Sequence, residues 1–145
     1  MDGVIVYWSR YGNGKKVVDY LEKRMREKGV NTQVMRTDEA DPAKMPDADF
    51  YVFSSPTEAF RVQKNMRKFM KNLQGVENKK YGVINTHKMK RNWLKSMNKV
   101  LSKKEMVKVA DLDFRVGDKT ESGDGLPQGW KMKMDEFVEK LSTAS

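Results

Sequence analysis

Uncharged apolar runs alternate along this chain with stretches whose apolar residues recur every three or four positions. Val4 to Trp8 is a short β-rich run without charge, the pattern of a strand buried on both faces. Val17, Val18, Leu21 and Met25 then share one helical stripe, which stops at Gly29, a natural C-cap. Val30 to Arg36 alternates apolar and polar positions and predicts a second strand. Asp41-Pro42, a capping residue followed by a first-turn proline, marks a short helix or turn reaching Met45. Phe50 to Phe53 predicts a third buried strand, ended by Ser54, Ser55 and Pro56. Val62, Met66, Phe69, Met70 and Leu73 predict an amphipathic helix, and Tyr81 to Ile84 a fourth strand. Leu94, Met97 and Leu101 carry the next helix, and Val107 to Val116 a fifth strand. Gly117 to Gln128 reads as a glycine-rich loop before a closing helix on Met134, Phe137, Val138 and Leu141.

The order βαβαβαβαβα with uncharged strand centres predicts a parallel sheet covered by helices on both sides. Right-handed crossovers make it a doubly wound α/β sheet. No linker, internal repeat or low-complexity segment interrupts the 145 residues, so residues 1–145 are expected to form one domain of three layers.

Composition narrows the chemistry. There is no cysteine, which excludes a disulfide, an iron–sulfur cluster and a thiolate nucleophile, and a single histidine, His87, which argues against a histidine-based metal centre. Redox chemistry would need a bound organic cofactor. No window approaches a membrane-spanning length and no charged-then-apolar leader is visible, so a cytoplasmic protein is expected. The net charge of +9 is unevenly spread: Arg61 to Lys104 holds 14 lysines and arginines against one acid, Glu77. Elsewhere 15 basic residues face 19 acidic ones. One basic face is implied, rather than a generally basic protein.

In a sheet of this kind ligands bind beyond the carboxyl ends of the strands, where strand order reverses. The turn after Trp8 leads to a helix N-terminus, whose free amides attract anions. Gly12-Asn13-Gly14-Lys15-Lys16 lacks the spacing and the magnesium-binding hydroxyl of a nucleotidase P-loop. Counting from Gly12, Val17 stands where a dinucleotide fold needs a small residue. The third strand ends in Ser54-Ser55-Pro56, without the aspartate a response regulator phosphorylates.

The stretch Ser9-Arg10-Tyr11-Gly12-Asn13-Gly14 resembles the phosphate loop of flavodoxins, Ser/Thr-x-Thr-Gly-Asn-Thr, directly after the first strand. FSSPTEAF, Phe53 to Phe60, resembles the family's Gly-Ser-Pro-Thr at the end of the third strand, and YGVINTHK, Tyr81 to Lys88, stands where its third flavin-contacting loop follows strand four. The resemblance covers nearly the whole chain. It implies a flavodoxin-like five-stranded parallel sheet of order 2-1-3-4-5 in an α/β/α sandwich, with FMN as cofactor. It further implies that Ser9, Arg10, Tyr11, Gly12, Asn13 and Gly14 wrap the FMN phosphate. Ser55, Pro56, Thr57, Glu58, Ala59 and Phe60, with Thr86, His87 and Lys88, would flank the isoalloxazine ring.

Three departures stand out. Tyr11 and Gly14 replace two hydroxyls of the family loop, with Arg10, Lys15 and Lys16 offering charge instead. Phe60, or Ala59 on a one-residue shift, occupies the place of a glycine that in the family often hydrogen-bonds the reduced ring. The chain is basic, whereas flavodoxins are typically acidic. Among the aromatics, Phe60 and Trp93 are the candidates for the two faces of a planar ring, against the alternative that Trp93 covers the first turn of its helix. Trp8 and Trp130 are expected to pack against the core and the sheet edge, and His87 to be solvated in its loop.

The strand order would put the helices after strands three and four side by side. Arg67, Lys68 and Lys71 would then adjoin Lys95, Lys99 and Lys103 on one positive surface. No aromatic interleaving or recognition-helix pattern favours nucleic acid, so an acidic redox partner protein is the expected occupant. Three functions follow: an FMN electron carrier, an FMN oxidoreductase of the same fold (protoporphyrinogen-oxidase-like or linked to quinone or NAD(P)H), and a flavin-free basic binding module.

Overall fold

Along β1 (Asp2–Tyr7), Ile5 points to one side of the sheet while Val4 and Val6 point to the other, and all three are buried. A strand apolar on both faces needs cover on both, and the computed structural model supplies it. It describes residues 1–8, 12–58, 61–117 and 125–144. After β1 come α1 (Gly12–Glu27), β2 (Asn31–Arg36), β3 (Phe50–Glu58), β4 (Arg61–Val62) and α2 (Lys64–Lys71). The chain continues through β5 (Lys80–His87), α3 (Leu94–Lys103), β6 (Val107–Arg115) and α4 (Trp130–Thr143).

The main sheet is parallel, in the order β2-β1-β3-β5-β6. This is the predicted doubly wound order, with β4 added as a two-residue antiparallel partner of the end of β3. On one face Ile5, Val52 and Ile84 pack against Val18, Leu21 and Met25 of α1 and against Phe137, Val138 and Leu141 of α4. On the other, Val4, Val6, Phe53 and Val83 pack against Met66, Phe69 and Met70 of α2 and Met97 and Leu101 of α3. Period-two alternation in the strands and period-3.6 stripes in the helices meet in two apolar layers. Among the described residues, no helix is long and apolar enough to cross a membrane.

Several boundaries differ from the sequence reading, each for a physical reason. Helix α1 begins at Gly12, one turn before its apolar stripe, because the stripe records only the buried face and not the polar first turn. At Asp41–Met45 the structure takes the turn, one of the two forms expected: Asp41 Oδ1 accepts from the Ala43 N–H and its carbonyl from the Lys44 N–H, which closes the chain locally. Strand β3 runs on through Ser54, Ser55 and Pro56 to Glu58, because β5 beside it is also longer than predicted and pairs as far as Pro56 with Thr86. Trp8 is only half-buried at the end of β1, whereas Trp130 is buried where expected, edge-on to Tyr20 and to Phe114 of the edge strand.

Candidate functional site

The carboxyl ends of the central strands β1, β3 and β5 stand in register, Tyr7 beside Ser54 and Pro56 beside Thr86. Order reverses at β1, since β2 leaves on one side and β3 on the other. From the end of β1 the chain passes to the N-terminus of α1. Ser9, Arg10 and Tyr11 lie outside the described residues, as do Ala59 and Phe60. Gly12, Asn13 and Gly14 form the first turn of α1, which holds no acidic residue. Their amides have no intrahelical acceptor, so this end carries partial positive charge with nothing nearby in the turn to neutralise it. The space a side chain would take at Gly12 is open for 4 Å. Asn13 instead lies against Gly125, whose φ of +85° brings its backbone so close that a Cβ would meet the Asn13 side chain at 2.5 Å. Lys15 pairs with Asp19, which holds its ammonium above the ordinary lysine pKa, so its charge is directed along the helix.

The second and third walls are tied together by Asn85, which is fully buried. Its Nδ2 donates to the Ser55 carbonyl at 3.1 Å and to Thr57 Oγ1 at 3.1 Å, and its Oδ1 accepts the Trp93 N–H at 3.0 Å. One side chain thereby links the end of β3 to the start of α3. The sequence reading passed over it. The only signal was a lone amide closing an apolar run, and its partners are 30, 28 and 8 residues away. Ser55 and Thr86 are buried, and Pro56, Thr57 and Glu58 are half-buried around the same rim.

His87 corrects the expectation of a solvated loop residue. It is the last residue of β5 and only 3 % exposed, with Nδ1 at 2.5 Å from the Met89 carbonyl and Nε2 at 2.6 Å from Asp113 Oδ2. The carboxylate comes from β6, which runs alongside, so sequence proximity could not reveal it. With both ring nitrogens engaged, His87 braces the turn after β5. Lys88 is exposed in that turn. Trp93 stands at the N-cap of α3 and lines a groove between α2 and α3, with the Arg91 guanidinium 4.5 Å from its ring centre.

That helical face is basic, as expected. Lys68, Lys71, Lys95, Lys99 and Lys103 are exposed, and Arg67 is half-buried with Nε donating to the Val62 carbonyl at 2.8 Å. Among the described residues none of the six is in an ion pair.

Comparison with known proteins agrees with this geometry. A family profile described as a flavodoxin domain matches residues 4–121. Among solved structures, a flavodoxin of Streptococcus pneumoniae TIGR4 superposes with a TM-score of 0.80 at 17 % identity, covering 98 % of both chains. Oxidised flavodoxin 1 of Bacillus cereus gives 0.80 at 13 % identity with full coverage of both. Two-electron-reduced flavodoxin of Megasphaera elsdenii gives 0.76 at 15 %, covering 98 % of this chain and 99 % of the other. No curated protein matches the sequence.

Proposed function

The chain belongs to the flavodoxin family, and from that premise we propose that it binds FMN and carries electrons to or from an acidic redox partner. The observation that carries this reading is the convergence of three elements at the strand-order reversal: the acid-free first turn of α1, the end of β3 and the end of β5. Each fits one part of the cofactor. The free amides of Gly12, Asn13 and Gly14 suit a phosphate dianion, and the open space at Gly12 leaves it room. The rim of Ser55 to Glu58 facing Thr86 to Lys88, held at a set separation by Asn85, suits a flat ring between two loops.

When bound, FMN supplies the one- and two-electron chemistry. The protein's part is positional. The α1 terminus orients the phosphate, Asn85 keeps the two ring-flanking loops from drifting apart, and the His87–Asp113 contact anchors the second loop to β6. The basic face of α2 and α3 borders these loops and would draw an acidic partner toward the ring edge.

The test is an FMN titration of the purified protein, followed by absorbance and by quenching of flavin fluorescence. Stoichiometric binding that weakens in Ser9→Ala is the expected result. A protein that stays colourless at saturating FMN rejects the reading and leaves a basic binding module. Rapid turnover of NAD(P)H or a porphyrinogen without a partner would instead favour an oxidoreductase.

A further inference from the structure

Between α2 and α3, next to β4, lies a groove of about 230 Å³. Its floor is apolar: Val62 and Met70 are buried, while Trp93 and Val100 are half-buried and open to it. Its rim is cationic, formed by Arg61, Arg67 and Lys71, and among the described residues no carboxylate lines it. One rim cation and the Trp93 ring are held in advance. Arg67 is held by its Nε bond to the Val62 carbonyl, and Arg91 lies over the Trp93 ring.

We propose that this groove receives an acidic segment of a partner protein, with one bulky apolar side chain seated on Met70, Trp93 and Val100 and flanking carboxylates on Arg61, Arg67 and Lys71. Charge complementarity selects the class of occupant, because unpaired cations around an apolar floor favour carboxylates beside an apolar anchor. A nucleic acid is a poorer fit. Among the described residues an inserted base would find only Ser96 as a neutral polar group to meet its edges, and Arg91 already covers one side of Trp93. Arg61 and Val62 of the groove pair with Glu58 and Thr57 across β4 and β3, and the Trp93 N–H is bound to Asn85, so a segment docked there lies beside the candidate cofactor site. The identity of the partner as a redox protein rests on the electron-carrier reading; the contact itself needs no cofactor.

Two fluorescent peptides test this, Asp-Glu-Asp-Phe-Glu-Asp-Glu and the same sequence with Ser in place of Phe, alongside an oligothymidylate of eight nucleotides. The Phe peptide should bind about tenfold or more tighter than the Ser peptide, from burial of one aromatic side chain. Amide NMR shifts should concentrate at Val62, Met70, Trp93 and Val100, and affinity should fall with salt. Val100→Glu should abolish binding of the Phe peptide with the FMN titration unchanged, and Ser96→Glu, at an exposed position, should do the same without disturbing the fold. Equal affinity of the two peptides, tighter binding of the oligothymidylate, or indifference to both substitutions would overturn the inference. FMN titration of the same samples separates the two readings: peptide binding by a colourless protein keeps the groove and removes the electron carrier, and the converse removes only the groove.

Discussion

Asn85 shows how much one amide can hold at the residue scale. Its three contacts are made in a fully buried position, so Asn85→Ala leaves the Trp93 N–H without its acceptor and the two loops without their tie. A loss of about 2–4 kcal/mol is expected in urea unfolding, with weaker FMN binding in the same variant. Gly82 is another single-residue constraint. A Cβ there would stand 2.7 Å from Phe137 Cζ, so Gly82→Ala should cost about 1–3 kcal/mol by forcing α4 off the sheet. Two tyrosines set a limit in alkali. Burial holds the phenols of Tyr51 and Tyr81 above the ordinary value of 10.0, and each donates to a carbonyl oxygen, of Pro46 and of Asn98. A raised folded pKa contributes stability that is complete below pH 10.0 and is lost as pH rises through the folded value. Circular dichroism should therefore show unfolding that sets in above that pH, and Tyr81→Phe should move it upward.

Within single elements, the start of α1 offers a test in which two effects have opposite signs. Asn13→Asp places a carboxylate in the first turn, where the helix field favours it by about 0.3–1 kcal/mol. The same charge repels a phosphate. Thermal stability of the free protein should rise slightly while FMN affinity falls; affinity that rises with stability would remove the phosphate from this helix end. Helix α2 depends on a different device. Gln63 caps it by accepting the Met66 N–H at 3.0 Å, so Gln63→Ala should cost about 0.5–2 kcal/mol in unfolding. The apolar stripes of α2 and α1 were plain in the sequence, but this cap was not. Glutamine is not a common capping residue, and its placement depends on the two-residue strand β4, itself formed only because β3 runs on to Glu58.

Across the whole molecule the dominant feature is the uncompensated charge on one side. Among the described residues Lys95, Lys99 and Lys103 have no acidic partner, so they repel Arg67, Lys68 and Lys71 across a short gap. Raising salt from about 10 mM to about 300 mM should raise the melting temperature, because screening weakens that repulsion. Reversing Lys95, Lys99 and Lys103 to glutamate should leave FMN binding intact. Reduction of or by an acidic partner should slow by about tenfold or more at low salt, with a flatter salt dependence measured by stopped-flow.

Local composition determined the layers. Strands without charge call for cover on both faces and stripes at helical spacing supply it, so a doubly wound parallel sheet followed from Val4–Trp8, Phe50–Phe53 and Tyr81–Ile84 taken with their helices, while the strand order came from the resemblance to flavodoxins. The clustering of basic residues was equally plain, since charge is counted residue by residue. What only the folded chain decided are the contacts between residues far apart in sequence: Asp113 beside His87, Asn85 between Ser55 and Trp93, and Val62 and Met70 opening onto one groove with Trp93 and Val100. These depend on strand register and on where a helix begins. Neither quantity is written in any short window of residues, because both are set by how two buried faces close on each other.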